Sequence, residues 1–205
     1  MGKVLEMRLG AAFLGLLLLS GCSALNPPPP DLRGRLDPAA VAASQTPLLL
    51  AEIRTARAQA TMRPVARNGK VVTWSSADDR MILLEQGILV GTRGLGFDLM
   101  SADPGETRMQ INLGTGALYP RFYAHLDGEY QVVFSTLLCR IVDRSPETVS
   151  ILGTQVATTR IEEGCRGPDR WITNIYWMTG NGTIRRSRQW IGAGLGYLQT
   201  ERLKV

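Results

Sequence analysis

The stretch from Val90 to Asp103 places glycines at 91, 94 and 96, with Arg93 between them and Asp98 close behind. Glycine-rich turns cradle phosphates when their amides point at one anion and a following helix adds its N-terminal donors. A dinucleotide loop spaces its glycines G-x-G-x-x-G, and a P-loop ends in G-K-[ST]. Here the order is G-x-x-G-x-G without that lysine, and only a short stretch precedes Pro104. Phosphate binding is therefore set aside in favour of a sharp bend leaving a strand. In that reading Gly94 and Gly96 take backbone angles closed to other residues or admit a close strand, Arg93 and Asp98 pair across the turn, and Leu95, Phe97, Leu99 and Met100 pack. A ligand-facing loop is the alternative, and it makes Arg93 and Asp98 candidate binding residues.

Glycosidic acid–base chemistry needs two carboxylates flanking one bond. Asp78-Asp79 and Glu162-Glu163 are adjacent in sequence. Neighbours on a strand point to opposite faces, so neither pair converges on a substrate. No His, Cys or carboxylate cluster has metal-ligand spacing, and no catalytic residue, metal or cofactor is assigned. His125, the single histidine, reads as a surface pair with Asp127.

The segment from Trp171 to Trp190 interleaves Trp171, Tyr176, Trp177 and Trp190 with Arg185, Arg186 and Arg188. Aromatic faces stack on sugar rings through the contacts that pack cores, and guanidinium forks take carboxylates bidentately. An acidic polysaccharide satisfies both. On a strand, Arg186, Arg188 and Trp190 share one face, which makes them candidate ligand-binding residues. The plainer reading buries the tryptophans and solvates the arginines; a third presents the edge to a protein partner.

The elements that must position these residues read as short strands. Residues 31 to 45 are polar and alanine-rich and read as loosely ordered. Thr46 to Ala60 is helix or strand, with strand favoured. From Lys70 onward, VVTW (71–74), MILLE (81–85), ILVGT (88–92), TRMQINL (107–113), ALYPRFYAHL (117–126), EYQVVFSTLLCRIVD (129–143), TVSILGTQVATTRIEEG (148–164), WITNIYWM (171–178), TIRRSRQWI (183–191) and GYLQTERL (196–203) alternate with turn signals. Gln86-Gly87, Asp127-Gly128 and Asn181-Gly182 mark hairpins. Pro120 fits an edge or a bulge. With no long amphipathic helix, the fold class is all-β, a mainly antiparallel barrel-like or sandwich domain over 46–205.

The chain begins with Lys3 and Arg8 around a ten-residue apolar run, Ala11 to Ser20. That run is shorter than the ~20 residues a membrane span needs, and matches a secretory leader. Glu6 is unusual in a leader, and a start at Met7 instead of Met1 removes it. Leu19-Ser20-Gly21-Cys22 resembles the lipobox of bacterial lipoproteins. Cleavage after residue 21 leaves Cys22 to carry diacylglycerol and a third acyl chain such as palmitate, so Cys22 is the lipidation site and the membrane anchor. An ordinary leader with an incidental cysteine is the alternative. Ser23 resembles the outer-membrane sorting pattern. Asn26 to Asp31, NPPPPD, is a stiff polyproline spacer within a 22–45 anchor and linker. Losing the leader removes two cations and one anion, so the net charge falls from +5 to +4 over 184 residues. That mild charge demands no nucleic acid. In an oxidising compartment Cys139 and Cys165 read as one disulfide, with two separate buried thiols as the alternative.

Thr92-Arg93-Gly94-Leu95-Gly96 with Asp98-Leu99-Met100-Ser101, and Ser187-Arg188-Gln189-Trp190-Ile191 with Gly194-Leu195-Gly196-Tyr197-Leu198, resemble the motifs of the YjbF/GfcB lipoprotein family. The resemblance covers about Val71 to Leu203 and the lipobox. It implies a β-rich, barrel-like fold and an outer-membrane lipoprotein, lipid-anchored and facing the periplasm. It implies a role with exopolysaccharide or group 4 capsule secretion components, and no catalytic residues. The expected function is a non-catalytic accessory that binds the glycan or outer-membrane secretion proteins. A periplasmic polysaccharide-modifying hydrolase is the alternative.

Overall fold

The computed structural model describes residues 31–204 apart from 115 and 130. The leader, Cys22 and the proline run lie outside the described residues. Twelve antiparallel strands form a nearly closed barrel: β1 (Leu48–Ile53), β2 (Ala58–Asn68), β3 (Val71–Ser75), β4 (Met81–Glu85), β5 (Ile88–Arg93), β6 (Leu99–Ala102), β7 (Tyr119–Leu126), β8 (Val132–Ile151), β9 (Thr154–Arg166), β10 (Trp171–Met178), β11 (Ile184–Gly192) and β12 (Gly196–Lys204). Neighbours in sequence are neighbours in space, and β12 pairs with β1, which brings the first and last strands together. One junction lacks a ladder, between β5 and β6.

Inward-facing residues alternate along each strand, and the interior is filled rather than hollow. Leu49, Ala51, Met62, Trp74, Ile82, Leu84, Leu89, Tyr123, Leu137 and Leu198 belong to the main core. Cys139 and Cys165 sit opposite each other in the β8–β9 ladder and form the expected disulfide. Gln86 and Gly87 both take positive φ, 49° and 96°, as a tight hairpin turn requires.

β8 and β9 outgrow the barrel. β8 runs unbroken from 132 to 151, whereas the sequence suggests separate strands ending at 143 and starting at 148. The gap between residues 143 and 148 is not a break in the strand, although Pro146 lies within it. β7 pairs with β8 only as far as Cys139, so Pro146 lies where one edge of β8 has no ladder partner, and a proline is tolerated on such an edge. The true turn is Leu152-Gly153, both at positive φ.

The tip of this arm packs on the outside of the barrel. Val149 and Ile151 join Leu48, Leu50, Leu203 and Val41 in a second core, with Leu32 and Leu36 against it. That core orders residues 31–45, which sequence alone suggests are loose. Asp37 caps α1 (Pro38–Ala43) by accepting from the Ala39 N–H at 2.9 Å, and Arg33 reaches Glu201.

A second correction concerns residues 107–113, read as a strand from their polar–apolar alternation. They form a helix, α2 (Gly105–Leu113), ending on left-handed Gly114. Thr107, Gln110 and Ile111 are its buried residues, a three-and-four spacing that serves a helix as well as alternation serves a strand. A third is β2, which extends to Asn68 through a polar stretch that carries no strand signal. Its partners β1 and β3 define it.

Candidate functional site

The glycine stretch is the barrel's seam. Thr92 donates from its hydroxyl to Asp98 at 2.8 Å and accepts from the Leu99 N–H at 2.9 Å. Asp98 also accepts from the backbone of Gly94 at 2.9 Å and Leu95 at 3.2 Å. Arg93 donates to the carbonyls of Leu99 and Met100, each at 3.2 Å. Side chains thus take over the pairing that a β5–β6 ladder would supply, as buried backbone groups demand. A Cβ on Gly91 would lie 3.4 Å from the Leu99 carbonyl, so glycine lets β6 come close. The expected Arg93–Asp98 pair does not form. Asp98 turns inward to cap the loop while Arg93 crosses to β6, and both are committed to backbone. Gly94 and Gly96 do take positive φ, 80° and 88°.

The second motif latches the far wall. Ser187 and Gln189 face the interior. The Gln189 amide donates to the Gly87 carbonyl and accepts from the Leu89 N–H, both at 2.8 Å, which satisfies part of β5 that lacks a neighbour. Ser187 bonds Thr200 at 2.7 Å. Arg186 and Arg188 lie together on the outer face, as alternation requires, but neither is a free cation. Arg186 pairs with Glu201 at 2.6 Å and donates to the Ser150 carbonyl in the arm. Arg188 stacks over Tyr197 at 3.5 Å.

Trp190 leaves that face. The β10–β11 ladder ends at Ile175–Arg188, and the Asn174 side chain accepts from the Trp190 N–H at 2.8 Å instead. A register shift follows between Trp190 and Gly192. Trp190 is buried, with its ring 5.3 Å from Tyr123 and 4.9 Å from His125. His125 is correspondingly not a surface partner of Asp127. It stacks on Tyr123 inside the barrel mouth, and burial lowers its pKa from the usual histidine value.

The two motifs meet at this mouth. A Cβ on Gly194 would lie 2.6 Å from Cγ of Phe97, and one on Gly192 would lie 3.1 Å from the His125 ring. Both glycines therefore allow aromatic rings to sit directly on backbone. The result is a cavity of about 770 Å³ bordered by Phe97, His125, Phe134, Arg170 and Trp190. Its carboxylates are engaged: Asp127 Oδ1 accepts from the amides of Glu129 and Gln131, both at 2.8 Å, and Asp169 pairs with Arg170.

Deeper inside lies a charge cluster that sequence reasoning missed. Glu163 is fully buried and accepts five hydrogen bonds. They come from Tyr119 at 2.5 Å, Thr107 at 3.1 Å, Arg121 at 2.6 Å, Asn174 at 2.7 Å and Tyr176 at 3.0 Å. Burial alone raises its pKa; the Arg121 charge and the hydrogen bonds outweigh this and hold it below the ordinary carboxylate range. Burial likewise works against the Arg121 charge, and Glu163 overcomes it. Glu162 points outward to Arg160 at 2.6 Å, so the adjacent pair splits between faces as alternation requires. The disulfide sulfurs and Glu163 come close together, but bonded sulfurs and a saturated carboxylate make a poor ligand set. The only sequence hint of this cluster was polar residues recurring at inward positions of β7 and β10.

Comparison with known proteins decides the lineage. A family model described as "Group 4 capsule polysaccharide lipoprotein gfcB, YjbF" matches residues 12–203. The chain belongs to the YjbF family. Among solved structures, the hypothetical lipoprotein YmcC from Escherichia coli (K12) superposes with a TM-score of 0.72. It is 19% identical, and the match covers 85% of this chain and 91% of that one. This neighbour shares the fold. No curated protein matches the chain. A YjbF-family chain is thus a capsule-polysaccharide-associated lipoprotein, and both motifs that signalled it serve closure of its barrel.

Proposed function

We propose that this YjbF-family protein is a non-catalytic accessory of exopolysaccharide or capsule export, anchored through Cys22 in the outer membrane and facing the periplasm. It contacts the polysaccharide at the barrel mouth. The observation that carries this reading is the cavity of about 770 Å³ bordered by Phe97, Phe134, His125 and Trp190. Aromatic walls with few polar groups suit the faces of sugar rings. The carboxylates there hold a turn and an arginine, so they support contact with a glycan rather than bond cleavage.

The test incubates residues 23–205 with the producing cell's own exopolysaccharide. Retardation in affinity electrophoresis, reduced by Phe134→Ala, is the expected result. Phe134 is 80% exposed, so its removal spares the core. Shortening of the polymer would instead reveal a hydrolase and end the accessory reading.

A second observation favours contact with the secretion machinery as well. Phe122, Leu138, Val142 and Trp171 lie exposed on the outer face of β7, β8 and β10. The ladders set Phe122 opposite Thr136 and Pro120 opposite Leu138, with Arg166 between Leu138 and Trp171 and its guanidinium 5.2 Å from the Trp171 ring centroid. Exposed apolar and aromatic side chains interleaved with arginine are the composition of protein interaction surfaces. A photocrosslinker at Trp171 in intact cells should capture an outer-membrane secretion component, and capture of lipid alone would remove this contact.

A further inference from the structure

The barrel end opposite the mouth holds a different cavity, of about 520 Å³. It is framed by the β2–β3 and β10–β11 turns, Gln86 in the β4–β5 turn, and α2. Its border includes Arg67, Lys70, Arg108 and Arg202, and none of its bordering residues is acidic. Arg185 lies close enough that its charge, with that of Arg67, acts on Arg202. Among the described residues none of these five cations makes a salt bridge. Arg108 donates to the carbonyls of Glu85 and Gln86, and Arg185 to that of Arg202. The Nε–H groups of Arg108 and Arg185 and the indole N–H of Trp74, which also borders the cavity, are buried without an acceptor.

Folded proteins ordinarily pair buried cations and satisfy buried donors, because leaving them bare costs free energy. At Arg202, burial, then the charges of Arg185 and Arg67, push the pKa below the usual arginine value. An anion in the cavity would offset both the burial and the like-charge repulsion, because an opposite charge favours the charged form. The neighbouring polar groups narrow its identity. Asn112 spends its amide N–H on the Arg108 carbonyl, which leaves its oxygen to accept. Asn181 spends its oxygen on the Thr179 hydroxyl and the Thr183 N–H, which leaves its amide to donate. Inorganic phosphate also supplies charge, and at neutral pH its P–OH groups donate as well as accept, but it lacks hydroxyls set apart from the charged centre. A sugar carrying a carboxylate supplies the charge, and its hydroxyls both donate and accept.

We propose that this cavity is a binding site for an acidic sugar unit, with Arg67, Lys70, Arg108 and Arg202 receiving the carboxylate and Asn112 and Asn181 reading the hydroxyls. It stands apart from the aromatic mouth, at the other end of the barrel, and holds whether or not the mouth contacts glycan. The experiment uses the full-length lipoprotein in detergent and calorimetric titration with a galacturonate tetramer. A neutral galactose tetramer and inorganic phosphate are the comparison probes. The uronate should bind, weaken as salt rises, and exceed both comparison probes at equal concentration. Arg67 and Lys70 are exposed on the β2–β3 turn, so Arg67→Ala with Lys70→Ala tests the site without risking the fold. That variant should lose about tenfold in affinity, as expected for a lost charge-assisted contact. Arg202→Gln should lose more, with circular dichroism confirming that it folds. Absence of uronate binding, equal binding of phosphate, or uronate affinity unchanged in the double variant would each overturn the proposal. Phe134→Ala should leave this titration unaltered; loss there with no loss in the double variant places the acidic sugar at the mouth and also overturns it.

Discussion

Replacing Arg121 with Met tests whether the Glu163 cluster holds the barrel together. Glu163 on β9 accepts from α2 through Thr107, from β7 through Tyr119 and Arg121, and from β10 through Asn174 and Tyr176. Arg121 and Glu163 expose only 2% and 0% of their side chains. Removing one partner of a buried pair leaves an uncompensated charge, at about 3–5 kcal/mol. The four neutral donors remain, which places the expected loss toward the lower end of that range. The pH dependence is sharper evidence. In the native protein the folded pKa of Glu163 is depressed, so its contribution is present above the unfolded value of about 4.3 and fades only as pH falls through the lower folded value. In Arg121→Met, burial dominates and raises the folded pKa above the unfolded one. The folded variant then prefers the neutral acid, and its penalty grows as pH rises past about 4.3. Urea unfolding at pH 7 and pH 4 should therefore show a larger loss at pH 7. Adding Glu163→Gln should recover at least about 1 kcal/mol at pH 7 as the interaction term of the double-mutant cycle. A loss below about 1 kcal/mol, or the same loss at both pH values, would refute the reasoning, because a buried pair cannot behave so.

Gly87→Ala combines a positive φ of 96° with a Cβ only 2.8 Å from the Cβ of Ile184, and urea unfolding should show a loss of about 2 kcal/mol or more. Cys139→Ala with Cys165→Ala should cost about 3–4 kcal/mol from lost chain restraint, read as a lowered urea midpoint against the oxidised protein and an unchanged one against the reduced protein. Thr92→Val removes the acceptor for the Leu99 N–H and a donor to Asp98, so hydrogen exchange should quicken in residues 94–102 while the β8–β11 amides keep their protection. Because burial lowers the His125 pKa, its ring resonances should titrate below the ordinary midpoint of about 6.5.

Local pattern alone determined much of this protein. Gln86-Gly87 and Asn181-Gly182 set hairpins because their backbone preferences act within a few residues. Alternation placed Glu162 and Glu163 on opposite faces, and Arg186 with Arg188 on one, because strand geometry fixes side-chain direction. The lipobox-like stretch and the two glycine motifs carried the family resemblance, since each is contiguous in sequence.

Only the tertiary structure decided the rest. Residues 107–113 fit two periods, and packing of Thr107, Gln110 and Ile111 chose the helix. Residues 31–45 gained order from an arm that begins a hundred residues later, through Val149 and Ile151. Trp190 left its expected face because the Asn174 side chain replaced a ladder bond. The Glu163 cluster and the basic cavity each join side chains from distant strands. Their meaning is electrostatic and rests on distance in space and on loss of water, neither of which a linear pattern contains.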